Sequence, residues 1–483
     1  MKKGTDRSVH APVLPRARRI ATGDRVVCPP FSTSARTPRY SRGSLSTTGN
    51  PQIVNELAER TRRKITRRLV PFLFLLYIIS YLDRVNLGYA ALNMTKELKF
   101  SNEIFGIGAG IFFIGYFLIE IPATVVVEVW SARKWIARIM ISWGVLASLT
   151  GLVQSARQLY WARFFLGLAE AGFFPGMIVY LTHWFRAKDR ARAVALFMTA
   201  IPISQLIGAP VSGLLMRVNW MGLSGWRWLL ILEGVPAVIC GIVTIFYLTD
   251  WPKDAHWLQP EERDWIVGEL VRESQAKKAV KSLTVWKALR DPDVVKLTLA
   301  AFCGLTSIYG FGFWLPKIVQ RLSGLSVLQV TLIAGIPYLA AFPAMVWNGW
   351  HSDKTGERRW HTALALAFGG VLLVASAAFS GSLVISILLF SLAAMCAHSY
   401  IPVFWQLPTS FLTEAAAAAC IGMINSFGNL GGFAGPYVIG YLTDRTKGYG
   451  AGIIYLGLMA IAGAALVLSV SAARSGRAER SNT

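Results

Sequence analysis

Residues 69–90, LVPFLFLLYIISYLDRVNLGYA, decide the fold. The stretch exceeds the roughly 18 apolar residues that an α-helix needs to cross the ~30 Å hydrocarbon core of a bilayer. It nevertheless contains Asp83 next to Arg84. A charge within a membrane-spanning helix is costly, and it normally faces a cavity or a partner. The stretch therefore predicts a transmembrane helix that carries functional groups.

Eleven further apolar stretches follow along the chain. Only 16% of the residues are charged and 54% are hydrophobic, whereas soluble domains carry about 25% charged residues. In lipid, a helix satisfies its own backbone hydrogen bonds. We predict an all-α integral membrane protein of twelve transmembrane helices in two six-helix halves. The other predicted spans are 104–126, 135–154, 159–181, 194–215, 227–249, 297–318, 328–348, 361–380, 383–406, 416–441 and 450–471.

The polar segments divide the chain. Residues 1–55 are rich in Arg, Ser, Thr and Pro, and they predict a disordered basic tail. The same segment is also compatible with a transit peptide or with an over-extended start of the reading frame. Residues 56–250 form the predicted N-terminal half and residues 296–472 the C-terminal half. The polar residues 251–295 between them predict a cytoplasmic linker, and a C-terminal tail follows at 473–483.

The formal net charge of +23 is concentrated in the tail and in alternate loops. No basic domain with a groove-reading motif accompanies it, so we expect no nucleic-acid partner. Basic loops are retained in the cytoplasm. The chain is therefore predicted to be a multi-pass protein of the plasma membrane, here a bacterial inner membrane, with both termini in the cytoplasm. The loop cations are Arg133, Lys134, Arg138, Arg186, Lys188, Arg190, Arg192, Lys354, Arg358 and Arg359.

Signatures of enzymes and of bound cofactors are lacking in the sequence. Five scattered cysteines form no CxxC pair, which argues against a disulfide framework or a zinc site. We find no phosphate-binding glycine loop ending in Lys-Ser/Thr, no HExxH and no GxSxG in a fitting context. We expect no enzyme, no cofactor and no metal. Charged groups inside membrane spans commonly mark a path for a substrate or for protons, which favours a transporter. Without a nucleotide site, its transport is expected to be driven by an ion gradient or by the substrate's own gradient.

Arg163 and Glu170 are the most informative charges. They lie seven residues apart, close to two helical turns, and so project from one helix face. Arg163 could hold a substrate carboxylate in a forked contact, and Glu170 could carry a proton. An anionic substrate that competes with Glu170 for the arginine would then couple substrate binding to proton binding. The alternative is a permanent Arg163–Glu170 ion pair that locks helices together.

Asp83 and Arg84 are adjacent, so their side chains diverge by about 100° and are expected to serve different partners. We predict that Asp83 is a proton carrier and that Arg84 is a second anion contact. The alternative is that Arg84 extends to the outer interface with Asp83 beside it. Glu120 and Glu233 stand near Pro122 and Pro236, and we expect them to brace helix bends. Other polar groups complete the predicted substrate path: Tyr81, Tyr116, Trp405, Gln406, Asn425 and Asn429.

Seven stretches in order resemble the major facilitator superfamily, and within it the anion:cation symporter family, over residues 60–472. The resemblance implies proton-coupled uptake of organic anions by alternating access. It places proton coupling on Asp83 and Glu170, and substrate contacts on Arg84, Tyr116, Arg163, Trp405 and Asn425. The stretches begin at Tyr81, Gly115, Arg163, Glu233, Gly312, Phe404 and Asn425, and include YLDRVNL and RFFLGLAEAGFFP.

The resemblance also implies a cytoplasmic gating motif in the second half, at Gly349, Asp353, Gly356, Arg358 and Arg359. The first-half copy departs from the pattern. Ser131 and Ala132 stand where a fuller motif has glycine and an acid, and only Arg133 and Lys134 remain.

The expected partners are protons, the lipid bilayer and a small organic anion, with the protein acting as a monomer. A tartrate-like dicarboxylate, a sugar acid and an aromatic carboxylate all fit two arginines beside two acids. The alternatives on the same fold are a proton-driven exporter and a carrier of a neutral solute. A receptor that only senses would need a folded cytoplasmic domain, for which residues 251–295 are too short and too polar.

Overall fold

The computed structural model describes residues 51–278, 289–379, 381–408 and 414–471. Most of the predicted N-terminal tail, the C-terminal tail after residue 472 and part of the predicted linker lie outside these residues. One compact unit begins at Val54. The first helix begins at Pro51, so residues 51–55 are helical rather than part of a tail. Proline is compatible with the first helical turn, because its missing N–H has no intrahelical acceptor there.

Helices make up the described part of the chain almost entirely. Their bounds are α1 Pro51–Glu97, α2 Asn102–Val129, α3 Ala132–Thr150, α4 Ala156–Glu170, α5 Phe173–Trp184, α6 Ala187–Met198, α7 Ala200–Leu215, α8 Gly225–Tyr247, α9 Pro260–Lys278, α10 Pro292–Ser323, α11 Val327–Thr355, α12 Arg359–Ala378, α13 Leu383–Phe404, α14 Glu414–Asn429, α15 Gly431–Thr446 and α16 Gly450–Leu468. A short 3-10 turn, Pro252–Asp254, precedes α9.

These helices confirm the predicted all-α membrane fold of twelve passes in two halves. Ten segments among the described residues are long and apolar enough to cross a bilayer. Of the other two passes, α3 carries three basic residues in its first two turns, and the pair α14 and α15 consists of two short helices. The fourth pass is also broken. Gly172, with φ +84°, separates α4 from α5 in a left-handed conformation that favours glycine.

The bundle has two ends. We call the end where α1 begins, at Pro51, the proximal face, and the end where α1 finishes, at Glu97, the distal face. Between the halves, α2 packs on α15 and α7 packs on α11. The second and eighth passes are equivalent in the two six-helix units, and so are the fifth and eleventh. The two interfaces are therefore related by the pseudo-two-fold symmetry of repeat-built transporters.

Paired glycines repeat within the two halves. Gly144 of α3 and Gly234 of α8 approach each other so closely that a Cβ on either would contact the carbonyl oxygen of the other. Gly370 of α12 and Gly457 of α16 do the same in the second half. These are the third and sixth passes of each unit. Small residues thus let equivalent helix pairs pack in equivalent ways, as is common in membrane bundles.

Candidate transport site

The central feature of the site is an ion pair between α1 and α4. The Arg84 guanidinium donates a short hydrogen bond to the Glu170 carboxylate, which also accepts from Ser80 Oγ at 3.3 Å. Arg84 is 8% exposed and Glu170 is 1% exposed. The expected alternatives of a permanent Arg163–Glu170 pair and of an Arg84 that extends to the interface are therefore wrong. Glu170 is thus paired with a cation from α1 and not with Arg163, which lies seven residues earlier on its own helix.

Arg84 also links the two halves. Its second terminal nitrogen donates to the hydroxyl of Tyr309, in α10, at 3.1 Å. The guanidinium carbon lies over the rings of Tyr81 at 5.1 Å and Tyr116 at 5.5 Å. A cation over an aromatic face is attracted by the ring quadrupole. The structure thus brings Tyr81, Arg84 and Tyr116 together, and adds Tyr309, which the sequence did not single out.

Arg163 is buried without a described carboxylate partner. Its side chain is 2% exposed, and its Nε and Nη2 atoms have no hydrogen-bond partner in the part of the chain that the structure describes. Its guanidinium carbon lies 5.0 Å from the centre of the Phe112 ring, and that of Arg84 lies 5.5 Å from the same centre. Unsatisfied buried donors are costly. Two cations therefore share one aromatic ring. Among the described residues, two donor nitrogens of Arg163 and the Nε of Arg84 have no hydrogen-bond partner.

Asp83 points away from this ion pair, towards α3. Its carboxylate accepts a short hydrogen bond from Trp143 Nε1 and another from Asn86 Nδ2 at 3.1 Å. Asp83 and Arg84 therefore serve different partners, as their adjacency predicted. Trp143 gave no sequence signal, because tryptophans in apolar stretches are most simply interpreted as packing or interfacial residues. The charge of Asp83 and that of Glu170 both act on Arg163.

The second-half candidates make different contacts. Asn425 donates a short hydrogen bond to Glu120 of α2, so this pair joins the halves. Glu120 was expected to brace the bend at Pro122. That role stays a prediction, because the described hydrogen bond of its side chain is to α14. Trp405 caps the proximal end of α13, with its ring 5.5 Å from that of Phe404. The described contacts of Asn425 and Trp405 are thus not with the two arginines.

A small cavity of about 40 Å³ lies between the halves beside Tyr81 and Tyr309. Gln205 and His398 meet on its wall, with their side-chain nitrogens 3.4 Å apart. His398 Nδ1 lies 2.9 Å from the carbonyl oxygen of Ala394 and is assigned as the protonated nitrogen, which leaves Nε2 to accept from the Gln205 amide. Neither residue was singled out as a site residue in the sequence. The cavity is otherwise mostly apolar, and it has room for a few water-sized molecules.

The halves are joined at the distal face. Asp444, at the end of α15, accepts hydrogen bonds from Asn102 Nδ2 at 2.8 Å and from the Glu103 amide at 2.8 Å. Lys317 of α10 donates to Asn102 Oδ1 at 2.9 Å. At the proximal face, the described ion pairs of the loops stay within one half. The structure is therefore closed on the distal side of the central site.

The predicted gating motif lies at the proximal end of α11. Asp353 pairs with Arg358 at 3.1 Å, and Arg359 donates to the carbonyl oxygen of Leu468. Gly349 lies one turn before Asp353, in the last turns of α11. The motif thus ties the loop after α11 to the end of α16.

In the first half, the acid that the motif lacks comes from another segment. Asp250, after α8, accepts from Ser131 Oγ at 2.8 Å and from the Arg133 amide at 3.0 Å. The Arg133 side chain lies 3.6 Å from the same carboxylate. Although the motif departs from the pattern at Ser131, Asp250 thus supplies the acid that contacts Arg133 at this turn.

Comparison with known proteins agrees with this architecture. The sequence profile of the Major Facilitator Superfamily matches residues 73–436. A "Putative tartrate transporter" of Agrobacterium vitis is 45% identical over 427 residues, which cover 87% of this chain and 98% of the relative. A "Quinolone resistance transporter" of Acinetobacter baumannii is 35% identical and covers 85% of this chain and 94% of that relative.

Solved structures share the fold at low sequence identity. A bacterial homologue of the human lysosomal transporter Spinster superposes with a TM-score of 0.66 at 17% identity, over 87% of this chain and 97% of that one. A D-xylose–proton symporter superposes with a TM-score of 0.67 at 15% identity, over 85% and 98%. The twelve-pass fold, the profile and the relatives together show that the chain is a multi-pass membrane transporter, not an enzyme, and that it belongs to the Major Facilitator Superfamily.

Proposed function

We propose that this transporter couples the uptake of a small organic anion to protons. One observation carries the proposal: beside the Arg84–Glu170 ion pair, two donor nitrogens of the buried Arg163 guanidinium have no hydrogen-bond partner among the described residues. A buried cation with unpaired donors is costly unless a ligand satisfies it. A carboxylate is the ligand that best matches the planar, forked donors of arginine.

The coupling follows from competition for Arg84. In the structure, Glu170 holds this guanidinium. Protonation of Glu170 would remove its negative charge and weaken the pair, and Arg84 would then be available to an anion together with Arg163. The anion and the ionised carboxylate cannot both occupy the same donors. An anion that binds to Arg84 therefore favours a proton on Glu170, and the two travel together.

Asp83 is proposed as the second proton-coupling residue. Its carboxylate points towards α3 rather than to the Arg84–Glu170 pair, and it is held by Trp143 and Asn86. Its charge acts on Arg163. A proton on Asp83 would thus change the field at the free guanidinium without competing directly for Arg84.

A dicarboxylate of tartrate size suits two guanidinium groups that share one ring, and two relatives carry the name of a tartrate transporter. A sugar acid or an aromatic carboxylate fits the same donors. Tyr81, Tyr116 and, after rearrangement of the halves, Trp405 and Asn425 are the proposed remaining contacts. We further propose that the protein works as a monomer.

The basic loops assign the proximal face to the cytoplasm by the positive-inside rule. With that orientation, the distal closure supports an inward-facing conformation. We propose that the contacts of Gly349, Asp353, Arg358 and Arg359 control opening at the proximal face. On the outward-facing side, the equivalent role falls to Asp444 and its partners.

A second candidate is proton-driven export, which the quinolone resistance relative favours. The same site would serve it if the outgoing solute displaced the proton from Glu170, so that solute and proton bind in turn and move in opposite directions. The two arginines favour an anionic substrate over a neutral one in either direction.

Uptake into proteoliposomes tests the proposal. The purified protein is reconstituted, and a panel of labelled tartrate, sugar acids, aromatic carboxylates, a neutral sugar and a quinolone is offered under an imposed proton gradient, with and without a protonophore. We expect one organic acid to accumulate with the proton flux and to be lost on adding protonophore. Movement of the quinolone against the proton flux would establish export. Movement of the sugar alone would contradict the role of the arginines.

A further inference from the structure

A pocket at the proximal face lies outside the transport path. It has an open volume of about 640 Å³ and lies where α1 enters the bundle, beside the end of α8 and the start of α9. Five basic side chains line it together with two aromatic residues and one acid: Arg60, Arg63, Lys64, Arg67, Arg68, Tyr247, Trp257 and Glu262. The excess of positive charge makes this a candidate anion site.

Glu262 does not neutralise the pocket. Its carboxylate is already used by Arg60 Nε at 2.9 Å, Lys64 Nζ at 3.0 Å and the Gln259 amide at 2.9 Å. Burial disfavours its charged form, but the Gln259 amide, Lys64 and Arg60 outweigh burial and hold the pKa of Glu262 below its ordinary value. Glu262 is therefore ionised and fully engaged. Its charge offsets one of its two basic partners and leaves the others in excess.

Three arginines remain without a described acidic partner: Arg63, Arg67 and Arg68. Arg63 and Arg67 are one helical turn apart, so they lie on the same face of α1, and both are exposed. Like charges at this spacing repel each other. An anion bridging them would relieve that repulsion.

Arg68 is held in place on the pocket wall. Its guanidinium carbon lies 4.8 Å from the Tyr247 ring centre and 5.0 Å from that of Trp257. Its Nε atom is buried and has no hydrogen-bond partner among the residues that the structure describes. Stacking on two rings fixes the plane of the guanidinium and reduces the entropy lost when its donors bind a ligand. Arg68 thus supplies a preorganised donor.

The sequence around the pocket indicates that it lies at the level of the membrane surface. Arg68 immediately precedes the first apolar stretch, which begins at Leu69. Tyrosine and tryptophan commonly mark the same level. Basic pockets at the cytoplasmic end of transmembrane helices are suited to anionic lipid headgroups. Arginine forks match phosphate oxygens in the same way as they match carboxylates.

We propose that this pocket binds a phosphate group, supplied by the headgroup of an anionic phospholipid in the adjoining leaflet. The ligand would contact Arg63, Arg67 and Arg68. Because α1, α8 and α9 all contribute to the pocket, the bound phosphate would hold the start of the first half against the linker helix. The inference is independent of the proposed substrate and of proton coupling.

Thermal unfolding of the purified full-length protein in detergent tests the site. Phosphatidylglycerol, zwitterionic phosphatidylcholine and inorganic phosphate are added separately. The test variant is Arg63→Gln/Arg67→Gln. The matched control is Lys253→Gln/Arg272→Gln, which removes two exposed charges from the same face outside the pocket. Unfolding temperatures without additive show whether each variant folds.

We expect phosphatidylglycerol to raise the unfolding temperature of the wild type and the control, and to have at most half that effect on the pocket variant. Phosphatidylcholine and inorganic phosphate should have little effect. If inorganic phosphate alone raised the unfolding temperature as much as phosphatidylglycerol does, the proposal that a lipid supplies the phosphate would be overturned. Equal stabilisation of all three proteins by phosphatidylglycerol would overturn the site.

A second variant covers the case in which the double substitution unfolds. Arg68→Lys keeps the charge but loses the stacked, forked donors. We expect weaker lipid stabilisation of this variant. Native mass spectrometry should show fewer retained phosphatidylglycerol molecules than for the wild type, and unchanged retention would contradict the role of Arg68.

Discussion

At the scale of single residues, the distinguishing feature of Arg163 is its unpaired donor nitrogens. It is buried and positively charged, and two of its nitrogens have no hydrogen-bond partner within the described segments. The nearest carboxylate on its own helix, Glu170, is engaged by Arg84. Buried donors of this kind fit the proposed role of Arg163 in binding an anion, and such a role would account for a charge within a membrane-spanning helix.

We therefore expect Arg163→Ala to weaken anion binding. A hydrogen bond to a charged group contributes about 1.5–3 kcal/mol, so the loss is about tenfold or more in Kd. Arg157→Ala provides the matched control, because Arg157 lies on the same helix and is exposed at the distal end. Calorimetric titration with the transported anion measures the Kd of both variants. An unchanged Kd in Arg163→Ala would remove Arg163 from the binding site.

Glu170 gives a separate prediction. Glutamine mimics the protonated acid. Glu170→Gln would therefore leave Arg84 permanently available to an anion, and residue 170 could no longer take up or release a proton. We expect gradient-driven accumulation to be abolished, while counterflow exchange of labelled against unlabelled anion persists. Both are measured in the same proteoliposomes. Loss of both activities, or of neither, would count against a proton-coupling role.

The sequence identified the charged residues but not their pairing. Arg84 and Glu170 are 86 residues apart, and Arg84 and Tyr309 are 225 apart. Helical periodicity relates only residues on one helix, so it placed Glu170 with Arg163. The true partner depends on how α1 and α4 pack. For the same reason, Trp143 and Tyr309 could not be distinguished from the many aromatic residues that anchor or pack transmembrane helices.

At the scale of elements, the membrane spans were predictable because each needs a long apolar run. The breaks within the helices of two spans could not be predicted in this way. The fourth predicted span, 159–181, is two helices separated at Gly172, whose left-handed φ is visible only in the structure. The eleventh, 416–441, is likewise divided between α14 and α15. Hydropathy measures length and composition, and it is insensitive to a single residue that leaves the helical conformation.

Close packing of α2 on α4 yields a prediction at this scale. A Cβ at Gly167 would collide with the carbonyl oxygen of Phe112 and the amide of Tyr116. We expect Gly167→Ala to destabilise the protein by about 1–3 kcal/mol, the usual cost of overpacking. Thermal unfolding in detergent measures the change.

Gly176→Ala is the matched control for this substitution. Gly176 is also helical and buried, and its nearest atoms would lie 3.5 Å from an added Cβ, an ordinary contact. Because alanine has the higher helix propensity, this variant should be neutral or more stable. Equal destabilisation of both variants would show that the α2–α4 packing is not the cause.

At the scale of the whole molecule, the distal closure rests on few polar contacts. Asp444 accepts from both Asn102 and Glu103, and so joins α15 to the start of α2. We expect Asp444→Ala to shift the population towards a distal-open state, because the two halves lose this contact. Spin labels on Arg157→Cys and Gly381→Cys, both at exposed distal positions in opposite halves, report the separation.

In a background without reactive native thiols, the distance distribution between these labels should broaden towards longer values in Asp444→Ala. Gly381 suits this use because an added Cβ meets no atom within 4 Å. An unchanged distribution would mean that α2–α15 packing alone keeps the distal face closed.

Anion affinity as a function of pH tests the central claim most directly. The transported anion is titrated into the wild type and into Glu170→Gln at a series of pH values. If the anion and the ionised Glu170 compete for Arg84, wild-type affinity falls as the pH rises, and Glu170→Gln binds tightly with most of that dependence lost. A pH-independent wild type, or a variant that retains the full wild-type dependence, would contradict the account.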